Sequence, residues 1–249
     1  KIIINIVYGM TSAKFDNPFK DPRNVDNIVA KRGSLFMIDL KHAVQERGYT
    51  VAHIKTDSIK IPEADQDIID FVCDFGKRYG YIFEHEATYE KICLVNDAVY
   101  IAKVESGKGA GTWDAVGTQF QEPYVYKTLF SKEPITFADK CETKSVTTAL
   151  YLDYNENLEK DMHDYHFIGK VGLFTPIAPG KGGAELMRHN PEKNSYGYVN
   201  GAKGYRWLES HTVEELGKEE DIDLELYRTK IDKAIAALEK FGDVETFID

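Results

Sequence analysis

The sequence predicts an α+β protein: an antiparallel sheet covered by helices on one face, followed by a mixed α/β region. Three observations carry the prediction. Helical and strand periodicities alternate over the first hundred residues in the order helix, strand, strand, helix, strand, strand. A segment rich in small residues, Ser106-Gly-Lys-Gly-Ala-Gly111, then interrupts the pattern, and strand-like and helical stretches mix beyond it. The 249 residues, 43% hydrophobic and 12% aromatic, are those of a globular chain with ample material for a core.

Taken in order, Lys1 to Gly9 reads as the end of an apolar helix, with Pro18 and Pro22 marking the loop after it. Val25, Val29, Gly33, Phe36, Leu40, Ala43 and Val44 recur at three- and four-residue steps, and Gly48 sits where a left-handed terminator belongs. Thr50 to Ile54 and Ser58 to Ile61 alternate as two strands of a hairpin with Asp57 at its tip, and Pro62 ends the second strand. Ile68, Val72, Phe75 and Tyr79 trace one face of a helix that stops at Gly80. Thr88 to Val95 and Ala98 to Val104 form a second hairpin around Asn96-Asp97.

The glycines at 106–111 spell G-x-G-x-G without the lysine-serine ending or strand-to-helix setting of a phosphate loop, so a flexible junction is the expectation. Beyond it, Phe167 to Phe174 and Tyr196 to Trp207 are strand-like, the latter broken at Asn200-Gly201. Thr212-Val-Glu-Glu215 has the spacing of a capping box opening a short helix. Tyr227, Ile231, Ala234, Ile235 and Leu238 define an amphipathic terminal helix ending near Gly242, and the acidic run at 219–223 reads as a solvated loop before it.

Composition narrows the classes. No apolar run approaches the roughly 20 residues of a membrane span, and no signal peptide or transit segment opens the chain, so no membrane partner is expected. Cys73, Cys93 and Cys141 lie too far apart for a zinc knuckle and are too few for a secreted disulfide scaffold, which points to a reducing interior. The start at Lys1, without a methionine, suggests a fragment. The net charge of −10 argues against a nucleic-acid partner only superficially, because residues 209–249 hold 13 acidic against 5 basic side chains while residues 1–49 hold 8 basic against 5 acidic.

A carboxylate at the tip of a tight hairpin, as at Asp57, keeps both oxygens available for a hard cation. The same residue in Thr56-Asp57-Ser58 could instead bond its own backbone as an ordinary turn residue. Lys1, Asn5 and Tyr8 share one helix face and offer a cation, an amide and an aromatic ring, a strip suited to a nucleoside triphosphate or, equally, a polar surface stripe. His163 and His166 lack a third metal ligand nearby and read as surface residues. Asp16, Asp21 and Asp26 fit loop and helix-start roles.

Together, Lys1-x-x-x-Asn5-x-x-Tyr8-Gly9 and Ile54-Lys55-Thr56-Asp57-Ser58-Ile59 resemble two motifs of phage-type family B DNA polymerases, the K-x-x-x-N-S-x-Y-G nucleotide-binding helix and the Y-x-D-T-D-S metal hairpin. The stretches 113–134, 143–156, 167–176 and 204–207 look like the thumb and C-terminal region of the same enzymes. The resemblance implies that residues 1–9 end the nucleotide-binding helix of the fingers, 10–105 form the C-terminal part of the palm, and 106–249 form the thumb and C-terminal region.

It further implies the C-terminal part of a DNA-directed DNA polymerase, which adds dNMP to a primer 3′ end with two Mg²⁺ ions. Asp57 would be the catalytic metal ligand, and Lys1, Asn5 and Tyr8 would hold the dNTP. Lys55, Ser58, Tyr100 and Lys103, with Lys127, Lys132 and Lys144 of the thumb, would line the primer and DNA. The implied partners are primer–template DNA, dNTP and the remaining N-terminal part of the polymerase, in the cytoplasm of a bacterial host carrying a phage or prophage.

The sequence departs from the family at Ile6, where Ser is usual, at Lys55, where the first hairpin Asp is usual, and at Ala98, where the K-x-Y lysine is usual. The family's other metal-binding Asp precedes the nucleotide-binding helix, so this portion alone is expected to be inactive. The alternative is a nucleic-acid-binding module without catalysis.

Overall fold

The computed structural model describes residues 2–159 and 161–249. Its fold is α+β with antiparallel sheets, as the alternation of periods predicts. The chain forms two compact units: one gathers residues up to Thr88 with Asn96–Ala98 and Ser106–Lys108, and the other gathers Tyr89–Val95, Val99–Glu105 and Gly109–Asp249.

In the first unit, α1 (Ile2–Ser12) and α2 (Pro22–Val25) lead into α3 (Ile28–Gln45), β1 (His53–Lys55), β2 (Ser58–Lys60) and α4 (Gln66–Arg78). Asn27 takes a left-handed conformation (φ 59°) that separates α2 from α3. The inward face of α3 is Phe36, Met37, Leu40 and Val44. It meets Ile68, Val72 and Phe75 of α4, with Ile54 and Ile59 of the hairpin closing the cluster. Val29, expected on the same face, is 54% exposed, so only the second half of α3 is buried.

Asp65 caps α4 by accepting from Ile68 N at 3.0 Å, and Lys77 and Arg78 complement the helix dipole in its last turn. Gly76 must lack a side chain because a Cβ there would stand 2.6 Å from the Phe83 ring.

In the second unit, β3 (Ala87–Asn96) and β4 (Val99–Gly107) pair as the predicted hairpin and add β5 (Trp113–Val116) as a third strand, in the order β3-β4-β5. The expected antiparallel sheet is therefore divided: among the described residues β1 and β2 pair only with each other. Ser106–Gly111 is a structured connection from β4 to β5. Gly107, Gly109 and Gly111 have positive φ, and Gly111 N and Thr112 N donate to Val104 O and Gly109 O.

Helical turns α5 (Thr118–Gln121), α6 (Pro123–Tyr126) and a π turn at Lys127–Ser131 follow. They pack Phe120, Val125 and Phe130 against Ile101 and Trp113.

The rest of this unit is a five-stranded antiparallel sheet of β6 (Glu142–Asp153), β7 (Tyr165–Ile177), β8 (Glu185–Asn190), β9 (Ser195–Tyr198) and β10 (Arg206–Glu209), in the order β10-β7-β6-β8-β9. The strand-like stretch Tyr196 to Trp207 is broken as expected, and its two strands lie at opposite edges of the sheet. The inner face carries Leu150, Leu152, Phe174, Leu186 and Trp207, all buried.

Helix α7 (Ser210–Glu215) begins at an N-cap of Glu209, so Thr212 lies inside the helix and the expected capping box does not form. A single 3₁₀ turn, Glu219–Asp221, structures the acidic run before α8 (Glu225–Leu238), and α9 (Val244–Ile248) extends the chain past Gly242. Leu226 of α8 joins the core under the five-stranded sheet, while Ala234 and Leu238 join the core under β3-β4-β5. Among the described residues no helix is long and apolar enough to cross a membrane, and all three cysteines are free thiols.

Candidate functional site

The β1–β2 hairpin is short because its register leaves two residues outside it: Ile54 faces Ile59, Lys55 faces Ser58, and Thr56-Asp57 make the loop. A two-residue loop needs positive φ to match strand twist, and Thr56 supplies it at φ 52°. For a β-branched residue this conformation is strained, by about 1–3 kcal/mol. The loop is therefore held by its surroundings, chiefly the Ile54 and Ile59 anchors and a hydrogen bond from Ser58 Oγ to Lys55 O at 3.1 Å.

Asp57 is exposed at this tip, and among the described residues no hydrogen bond or ion pair engages its carboxylate. The ordinary turn role open to it in the sequence, bonding its own backbone, is not taken up. Ser58 instead spends its hydroxyl on the turn, and Lys55 is half-buried at the base of the tip.

Sequence reasoning passed over His53. It is 8% exposed, its Nε2 lies 2.9 Å from Asp97 O, and with Lys41, Val51 and Asp97 it lines a cavity of about 160 Å³. The contact joins β1 to the tip of the next hairpin within the same unit. The available signal was a polar residue at an inward position of an alternating strand.

On α1, Asn5 is exposed and Tyr8 half-buried, while Lys1 lies outside the described residues. Gly9 does not end the helix: three further residues follow, with Thr11 Oγ1 and Ser12 Oγ donating to the carbonyls of Val7 and Tyr8. No residue of α1 is buried, although Ile2, Ile3 and Ile4 are apolar and about three-quarters exposed.

In the second unit, Tyr100 is buried and its phenol donates to Asp114 Oδ2 at 2.9 Å, an oxygen that also accepts from Tyr89 at 2.8 Å. Burial, then the Asp114 carboxylate, pushes the Tyr89 phenol well above its ordinary range. Lys103 donates to Gly111 O at 2.9 Å with its ammonium 5.4 Å from the Trp113 ring centroid.

The three thumb lysines differ in commitment. Lys127 pairs at 2.8 Å with Asp139, which Thr136 also holds through its N–H and hydroxyl. Lys144 pairs at 2.8 Å with Glu142, and Lys230 holds the other oxygen of that carboxylate at 2.6 Å while reaching Glu122 at 2.8 Å. Only Lys132 of the three is exposed, donating to Thr128 O at 3.1 Å.

His163, read as a surface residue, has a buried partner: Asp153, with no accessible side-chain surface, accepts from its Nδ1 at 2.7 Å. Among the described residues no group of three or more His, Cys, Asp or Glu side chains is gathered for a metal. No family model matches the chain, and comparison with curated proteins finds no relative.

Proposed function

We propose that this chain is the C-terminal palm and thumb portion of a DNA-directed DNA polymerase of family B, phage type. The observation that supports the reading best is the unengaged carboxylate of Asp57 at the tip of a two-residue hairpin loop, on the motif that resembles the family's metal hairpin. A turn residue would be satisfied locally; a ligand is kept for something else. Strain at Thr56 fits the same view, since strained backbone collects where a side chain must be held in a fixed place.

Asp57 fits Mg²⁺ as one hard oxygen ligand, and one carboxylate is too few to hold two ions. Among the described residues no group of carboxylates is gathered with Asp57, and the proposal assigns the remaining ligand to a separate portion of the polymerase. Bound Mg²⁺ would neutralise charge on the transferring phosphoryl group. This chain's own contributions are to aim the carboxylate, to offer Asn5 and Tyr8 from α1 to the dNTP, with Lys1 adding a cation, and to present Lys132 to the duplex backbone. The bare apolar surface of α1 fits a helix that packs on further polymerase sequence.

The second reading, a nucleic-acid-binding module without catalysis, draws on Lys55, which sets a cation beside the tip where the family has a carboxylate.

Primer extension by the complete polymerase tests the assignment. Asp57→Asn is expected to leave DNA binding nearly unchanged and to abolish nucleotide addition, because a neutral amide of the same shape is a poor Mg²⁺ ligand. An Asn variant that extends at near-normal rate returns Asp57 to the status of a turn residue. A native polymerase with no extension activity favours the second reading.

A further inference from the structure

The five-stranded sheet buries Leu150, Leu152, Phe174, Leu186 and Trp207 on its inner face and gathers further rings on its outer one. Register places Tyr151 opposite Phe167 and Met187, Asp153 opposite Tyr165, and His189 opposite Tyr196, so these side chains share a face. Tyr165 and Tyr196 stack at 3.9 Å with their planes 12° apart, and His163 continues the column at 4.9 Å and 16°. Tyr151 meets the column edge-on at 5.1 Å from Tyr196 and touches Phe167 at 5.5 Å. Phe167 is 66% exposed, an unusual cost for a phenylalanine that packs on nothing further outward.

The column is held rigidly. His163 is fixed in plane by its hydrogen bond to the fully buried Asp153, which also accepts from Asp164 N at 2.8 Å and Asn155 Nδ2 at 3.2 Å. One face of the imidazole rests on Tyr165; among the described residues no ring covers the other, and the side chain is 44% accessible.

Several polar groups on this face are already engaged. Glu185 accepts from Tyr198 OH at 2.9 Å and Asn155 Nδ2 at 3.0 Å, and Arg206 donates to Asn155 Oδ1 at 2.8 Å. A sugar would need such acceptors unoccupied, whereas a flat π-system needs only the ring faces. Lys203 stands 5.8 Å from the Tyr198 ring, exposed Lys193 sits in the turn between β8 and β9, and among the described residues neither has an ion-pair partner.

We propose that the outer face of this sheet is a stacking platform for unpaired bases of single-stranded nucleic acid, with the locked His163 ring and the exposed Phe167 as its open steps and Lys193 and Lys203 meeting the phosphates. Base–aromatic stacking tolerates any sequence because every base has a π face, and duplex DNA, whose bases are already stacked, cannot use it. The inference stands apart from the polymerase reading, since it needs neither Asp57 nor Mg²⁺.

Fluorescence anisotropy on the whole chain decides it, with an oligothymidylate of about 20 nucleotides and a blunt duplex of equal length at about 50 mM salt. The single strand is expected to bind at least about tenfold tighter than the duplex. Phe167→Ala, at a side chain exposed enough to leave folding intact, should weaken single-strand binding by about fivefold or more. His163→Ala should do likewise, and His163→Phe, which keeps a ring there, should restore most of the loss.

Equal affinity for duplex and single strand, no binding at low salt, or indifference to Phe167→Ala overturns the proposal. So does a concentration-dependent dimer in sedimentation velocity that Phe167→Ala abolishes, because the face then belongs to a second copy. Primer extension by the same polymerase reports on Asp57 alone, so either conclusion can fail without the other.

Discussion

Removing the charge of Lys144 separates a structural lysine from a phosphate-binding one. Its side chain is 13% exposed and that of Glu142 12%, so the 2.8 Å pair is largely out of water. Breaking a fully buried pair costs about 3–5 kcal/mol and an exposed one under about 1. Glu142 keeps Lys230 at 2.6 Å, which puts Lys144→Met at about 2 kcal/mol, the methionine preserving the apolar stem near the Trp207 ring. At roughly 2–4 °C per kcal/mol for a body of this size, the melting temperature should fall by about 4–8 °C. The salt dependence of primer–template binding should stay the same, because each phosphate contact contributes a slope of about −0.9 and this ammonium contributes none. Lys132→Met, at an exposed lysine, should do the reverse: a shallower slope and no thermal shift. Calorimetry and anisotropy across a salt series measure both. A Lys144→Met variant with unchanged melting temperature and a slope shallower by about 0.9 would refute the reasoning.

The other expectations concern the remaining commitments of the chain. Burial raises the Glu142 carboxyl, but Lys230 and Lys144 outweigh it and hold the group below its ordinary value of 4.5. Stability is therefore full above that value and lost as pH falls through the lowered one, and Glu142→Gln should flatten an acid melting series over this range. Asp65→Ala removes the cap of α4 and should cost about 1 kcal/mol in urea denaturation; no change would mean water caps the helix equally well. On the polymerase reading proposed above, Lys55→Asp should alter the Mg²⁺ and Mn²⁺ titration of primer extension by the complete enzyme while leaving the urea midpoint alone. Superimposable metal titrations would show the position to be irrelevant.

The first unit was the more legible in sequence, since its signals are local. Ile54 and Ile59 alternate on either side of the Asp57 turn, and Ile68, Val72 and Phe75 repeat at helical spacing. Where the sequence misled, a local rule met a longer-range packing demand. Gly9 costs a helix about 1 kcal/mol, too little to stop one. The segment 142–153 hides a strand because pairing with β7 shifts between Ser145 and Leu150, which breaks the alternation a strand would show. The break at Asn200-Gly201 was legible, but not that it sends β10 beside β7 and leaves β9 beside β8, a pairing between strands that are not neighbours in sequence.

The candidate site divides in the same way. Asp57 at its tip was visible, but the commitments of Lys127 and Lys144 were not, because lysine interleaved with tyrosine looks alike whether it faces phosphate or a carboxylate elsewhere in the fold. Likewise nothing near His163 announces Asp153 ten residues earlier.

Helix α8 completes two hydrophobic clusters at once and brings Lys230 to carboxylates 108 and 88 residues earlier in the chain. During synthesis, those partners must wait. At about 5–20 residues per second, Leu238 leaves the ribosome roughly 6–23 s after Val125. Through that interval Phe120, Val125 and Phe130 have no α8 to cover them, and Glu122 and Glu142 lack the Lys230 ammonium that bridges them. The nascent unit therefore holds an open apolar surface for seconds, and its core closes only when α8 and then Val244 and Phe247 of α9 arrive.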